Sequence, residues 1–198
     1  MKIIFAFFLA LLFAAGAAAQ DLPSQSLTKG TWEFSAFAGG GTGLGKSDNT
    51  QFFYAGGRAG RILTSEHLSG WLRGNFEWAV DAMPAYITFT PMRAVYGGSF
   101  KPAIWQWNFT HGKKIAPYIA AAGGVVFSTH NLPPGNTSYV NFTPQGVFGA
   151  HVFLKPGRAL LFETAIVHHS SASLGTENPG YNASIFFTLG YTWFKVRK

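Results

Sequence analysis

After an apolar opening run, hydrophobic and polar side chains alternate with a period of two rather than 3.6, and helical periodicity is missing. The alternation predicts strands over 31–40, 52–63, 70–82, 94–109, 117–128, 140–154, 160–170 and 184–194. The third is the clearest: Leu72, Phe76, Trp78 and Val80 alternate with Trp71, Arg73, Asn75, Glu77 and Asp81. The eighth sets Ile185, Phe187, Leu189, Tyr191 and Trp193 against Ser184, Thr188, Gly190 and Thr192. Apart from the fifth, which is small and apolar on both faces, the strands have one face suited to lipid or a core and one carrying hydroxyls, amides and charges.

The charged faces decide between two all-β architectures. In a soluble sandwich Glu33, Arg73, Glu77, Asp81 and Glu163 would be solvated outside. In a membrane barrel they point into a polar interior while the apolar face meets lipid. Residues 1–19 read as a secretory signal, with Lys2 ahead of an apolar run and Ala17-Ala18-Ala19 as a cleavage site. Residues 20–198 are then a single domain. An even strand count, an export signal and the flanking aromatics Trp32, Trp71, Tyr86, Trp105, Trp107 and Trp193 favour an eight-stranded antiparallel transmembrane β-barrel. Lipid offers no partner to an open sheet edge, so such a barrel must close. Eight strands leave an interior that side chains fill.

Composition adds three constraints. Cysteine is absent, which excludes disulfides, thiolate metal sites and a cysteine nucleophile. Aromatic residues make up 17% and charged residues 12% of the chain, alongside 24 glycines, as many short aromatic strands joined by glycine turns would produce. The formal charge of +7, or +6 without Lys2, favours an anionic membrane surface as partner; an exported chain has no nucleic acid to meet. Arg61, Arg93 and Lys113 are candidates for holding phosphates at the barrel mouth.

The candidate chemistry lies in FETAIVHHSSASLGTENPGYNAS, residues 162–184. On an extended strand His168 and Ser170 share the face of Leu160, Phe162, Thr164 and Ile166, with their α-carbons roughly 6.5–7 Å apart. A hydroxyl beside an imidazole is the minimum for attack on an ester, because serine is a weak nucleophile until a base takes its proton. With both termini at the periplasmic side, the seventh strand ends at the outer leaflet. His168 and Ser170 then face lipid there. His169 points inward and reads as a packed interior histidine, while Glu163 lies on the opposite face and well below the site.

The segment VHHSSASLGTENPGYN resembles the H-x-S-N-A...N-x-G segment of the lipid A 3-O-deacylase (PagL-type) family, and the signal, length and strand number are similar along the mature chain. The close match covers about the last 40 residues. The resemblance implies a bacterial outer-membrane serine esterase that removes the 3-O-linked acyl chain of lipid A without cofactor or metal. It matches the family's histidine to His168 and its nucleophile to Ser170. The asparagine after the nucleophile is Ser171 here, and the family's acidic residue falls on Asn182, so the group orienting the imidazole is Asn182 or, from the adjoining loop, Glu177. Lipopolysaccharide is the expected partner, within the membrane, with a homodimer left open. If Ser170 stands opposite Asn182, keeping Ile185 and Phe187 toward lipid requires a one-residue bulge between 182 and 185. The alternatives are a non-enzymatic outer-membrane barrel, structural or adhesin-like, and a soluble calycin-like barrel carrying an apolar ligand.

Overall fold

The computed structural model describes residues 22–133, 135, 137–177 and 183–196; the expected signal segment lies outside them. A short helix α1 (Leu22–Ser26) precedes β1 (Trp32–Gly43), β2 (Gln51–Ile62), β3 (Gly74–Phe89), β4 (Ala94–Phe109) and β5 (Ile115–Leu132). β6 (Ser138–Phe142), β7 (Gln145–Lys155), β8 (Arg158–His168) and β9 (Ala183–Lys195) complete the chain. All neighbours are antiparallel: β1 pairs with both β2 and β9, and β4 pairs with β5, so the sheet closes on itself. β6 and β7 are two parts of one wall position interrupted at Thr143-Pro144, since β5 pairs with both. The wall is therefore an eight-strand closed barrel, as the period-two pattern predicts.

The faces fall as an outer-membrane barrel requires. Along β3, Asn75, Glu77 and Asp81 are buried while Phe76 is exposed; along β9, Phe187 and Leu189 are exposed while Thr188 and Thr192 are buried. The interior is packed in three levels. At the end holding both described termini, α1 plugs the barrel, with Leu22 and Leu27 against Ile62, Ala116, Phe153, Ala159 and Phe194. Above it lies a polar layer in which Glu33 accepts from Ser35 at 2.6 Å and Glu77 accepts from Asn108 at 2.9 Å. Arg58 bridges Asp81 and Glu163, both at 2.8 Å. The far half is aromatic and aliphatic, including Phe52, Tyr54, Tyr86, Tyr118, Leu161 and Phe186.

β3 corrects one expected position. It runs to Phe89, and its pairing with β4 shifts register between Met83 and Tyr86. That irregularity exchanges the faces: Asp81 and Met83 point in before it, Tyr86 and Thr88 after it. Tyr86 therefore packs inside at 3% exposure instead of joining an interface girdle. Trp71 and Arg73 leave the strand as well, in and just after a 3₁₀ turn (Gly70–Leu72).

Both described termini lie at one rim and the longest connection, 169–182, at the other, which sets the orientation of an outer-membrane barrel: the terminal rim is periplasmic and the opposite rim extracellular. β8 consequently ends at the outer leaflet.

Candidate active site

β8 carries its alternation to the loop rim. Leu161, Ala165 and Val167 are buried inside, Ile166 is 60% exposed outside, and His168 follows on Ile166's face. The strand then stops, but the backbone is still held. His168 N–H donates to the Pro144 carbonyl at 3.0 Å, and Ser170 exchanges both backbone bonds with Phe142, at 2.7 and 3.0 Å. Bridge partners in an antiparallel pair share a face. Phe142 is 42% exposed while Asn141 and Thr143 beside it are buried, so Ser170 sits with Phe142 on the outer wall. His168 and Ser170 thus share the lipid-facing side at the rim, held by the break between β6 and β7.

Beyond Ser170 the chain makes a tight turn. Leu174 N–H donates to the Ser171 carbonyl, and Ala172 and Ser173 both have positive φ, 48° and 63°. Two successive left-handed residues without glycine cost on the order of 1–3 kcal/mol each. The turn brings Ala172 N–H to 3.1 Å from the Ser170 hydroxyl oxygen, which accepts its hydrogen bond.

The other named residues separate. Asn182 lies outside the described residues. Glu177 is exposed, and its carboxylate comes to 3.2 Å of where a β-carbon at Gly135 would stand, against the β5–β6 loop. Glu163 is inside the wall, taken up by Arg58 and by the Tyr118 hydroxyl at 2.6 Å. His169 points inward, with its Nε2 2.9 Å from the Tyr86 hydroxyl and its ring stacked on Phe52 at 5.0 Å. Burial first, and the neighbouring His168 second, push its imidazole down to about 4. A small cavity of about 50 Å³ opens beside it, lined by Thr50, Phe52, Thr88, Leu132, His169 and Ser184. This cavity lies within the wall, on the opposite side from the Ser170 face.

Three expectations change. β8 and β9 pair without interruption from Arg158↔Trp193 to His168↔Ala183, so the predicted bulge does not occur. Each pair joins an even and an odd residue, Ile166 with Ile185 and Thr164 with Phe187, which already puts Ile185 and Phe187 on the lipid side. The described β8–β9 pairing ends at His168↔Ala183, Asn182 lies outside the described residues, and Ser170 bridges Phe142 of β6. Arg61 and Lys113 are also displaced: they belong to the periplasmic rim, and only Arg93 of the three is extracellular. Sequence reasoning missed the carbonyls of Phe142 and Pro144 as the site's anchors; the signal was Pro144, which interrupts an otherwise continuous alternation.

A closed eight-strand barrel with an apolar outer wall and a plugged polar interior, carrying His168 and Ser170 on the outer face of one rim, defines a membrane-embedded β-barrel. The chain matches the family model of lipid A 3-O-deacylase (PagL) over residues 53–192, and it belongs to that family. Its fold is similar to the crystal structure of the outer membrane enzyme PagL, with a TM-score of 0.57 and 18% identity over 80% of this chain and 98% of that one. The N-terminal β-barrel domain of Pseudomonas aeruginosa OprF is similar too, at a TM-score of 0.52 and 12% identity, covering 83% of this chain and 98% of that one. Among curated proteins, no sequence matches this one. The protein is an outer-membrane protein of the bacterial envelope.

Proposed function

We propose that this protein hydrolyses the 3-O-acyl ester of lipid A, with Ser170 as nucleophile and His168 as its base. The observation that carries this reading is the common outer face of His168 and Ser170 at the extracellular rim, where an acyl ester of the outer leaflet meets the wall. Ser170 Oγ attacks the acyl carbonyl while His168 takes its proton. The proton passes to the sugar oxygen as the ester bond breaks, and water then attacks the acyl-enzyme, with His168 again as base. Ala172 N–H, already directed at Oγ, is a donor near the developing oxyanion. The imidazolium needs an orienting group, for which Asn182 and Glu177 are the candidates.

An amide at Asn182 can orient the ring but supplies no charge, so the two candidates predict different variants. In cells expressing the protein, mass spectrometry of lipid A should show loss of one hydroxyacyl group, and Ser170→Ala should abolish it. If the loss persists in Ser170→Ala, the nucleophile is wrong. If lipid A is unchanged with the wild-type barrel present in the membrane, the reading gives way to a non-enzymatic barrel. Glu177→Gln should lower turnover at least 100-fold if Glu177 holds His168, and leave it within about threefold if Asn182 does.

A further inference from the structure

The positive charge of this chain is not at the end where the ester is. In the four extracellular connections the sequence places Lys46 and Arg93 against Asp48 and Glu177, a balance of zero. The periplasmic rim carries Lys29, Arg61, Lys113, Lys155, Arg158 and Lys195, all but half-buried Arg158 exposed. Its acid among the described residues, Glu66, is 3.6 Å from Arg73 and so already has a cation beside it.

The tryptophans follow the same asymmetry. All six lie at the periplasmic half: Trp32 begins β1, Trp78 is near the start of β3, Trp105 and Trp107 are near the end of β4, Trp193 is near the end of β9, and Trp71 is 74% exposed in the β2–β3 connection.

The strand register joins the two sets. Lys195 pairs with Trp32, Trp32 with Arg61, Arg61 with Trp78, and Trp78 with Trp105. These five residues face outward on five adjacent strands, so neighbours stand about 4.8 Å apart along the hydrogen-bonding direction. The row climbs from the rim, where Lys195 ends β9, into the wall, where Trp105 is four residues from the end of β4. Within it the Arg61 guanidinium lies 5.3 Å from the centre of the Trp32 ring, a cation–π contact that fixes the cation at the belt's height.

Indole rings settle at the level of the ester and headgroup region, and a cation held between them meets the phosphate of the same lipid. A rim facing only water would have no use for cations interleaved with lipid-seeking rings. We propose that this row and the basic rim below it form a docking surface for anionic phospholipid headgroups of the inner leaflet, glycerophosphate diesters carrying a net negative charge.

The test uses the full-length protein in lipid discs of equal phosphatidylcholine and phosphatidylglycerol with matched acyl chains, reading by mass spectrometry which lipids stay bound on release. Phosphatidylglycerol should be enriched about fivefold, and the enrichment should fall to near one in Arg61→Glu/Lys195→Glu. The milder Arg61→Gln/Lys195→Gln should fall in between, and Arg93→Glu, at the opposite rim, should leave it unchanged. Equal retention of both lipids by the wild type overturns the proposal. So does enrichment left undiminished by Arg61→Gln/Lys195→Gln in a correctly folded barrel, or binding to isolated peptidoglycan with the same charge dependence while the lipids are retained equally. None of these readouts involves ester hydrolysis, so they stand or fall apart from the deacylase reading.

Discussion

At the scale of single residues, His168 and His169 show how one step along a strand separates two chemistries. His168 looks out at lipid, while His169 is turned into the barrel against Phe52, Tyr86 and Phe186. The folded protein holds the His169 imidazole at about 4, below the ordinary 6.5, because burial disfavours the charged ring. The unfolded chain therefore binds a proton that the folded chain refuses between those two values. Stability from this group is complete above pH 6.5 and drains as pH falls toward 4. Urea midpoints in detergent at pH 7.5 and 4.5 should show the wild type losing up to about 3 kcal/mol more than His169→Phe. Equal losses would show that His169 is not held neutral by its surroundings. Alternation alone placed both rings, because it needs only the parity of the strand. The group that orients His168 was not legible in that way: Glu177 and Asn182 both lie in the loop after β8, whose path no period describes.

At the scale of elements, what the alternation could not reveal is where it changes phase. The period of two stays readable on either side of the irregularity in β3, and the local mark of the exchange of faces between Met83 and Tyr86 is Pro84, which cannot donate to the ladder. A one-residue slip sends every later side chain to the other face, so the irregularity is what turns Tyr86 and Thr88 inward and gives His169 its partner. Deleting Pro84 removes the extra residue, so regular pairing then sets Met83 and Tyr86 two positions apart on one inward face, and this variant should keep the compact, heat-modifiable band on gels. Pro84→Ala keeps the residue count and has an exposed site, so it should fold within about 1 kcal/mol of wild type. A deletion variant that loses the compact band would mean that the irregularity is needed for more than restoring Tyr86 to the inner face. The opposite lesson comes from β8 and β9: the lipid-facing set Ile185, Phe187 and Leu189 is legible in the alternation, and regular pairing down to His168↔Ala183 satisfies it without a bulge.

At the scale of the whole molecule, the polar layer explains how a barrel with charges inside can be closed to solvent. Arg58 donates from Nε and Nη2 to Asp81 at 2.8 and 3.1 Å and from Nη1 to Glu163 at 2.8 Å, and Tyr118 donates to the same Glu163 oxygen. Lys101 adds a contact to Asp81 at 3.6 Å. The guanidinium thus ties β2 to β3 beside it and to β8 across the lumen, at the level between the helix plug and the aromatic half. With the interior filled in this way, purified protein in a planar bilayer should show none of the steady conductance of a wide porin channel. Removing the central cation is the sharper test. Arg58→Leu leaves Asp81 and Glu163 buried with their main partner gone, a situation that costs about 3–5 kcal/mol, whereas removing the charges together with Arg58→Leu/Asp81→Leu/Glu163→Leu costs less. The order of urea midpoints should therefore be wild type, then the triple variant, then Arg58→Leu lowest. If Arg58→Leu alone unfolds no earlier than the triple variant, the charges it abandons are being satisfied by water, and the lumen at that level is hydrated rather than closed.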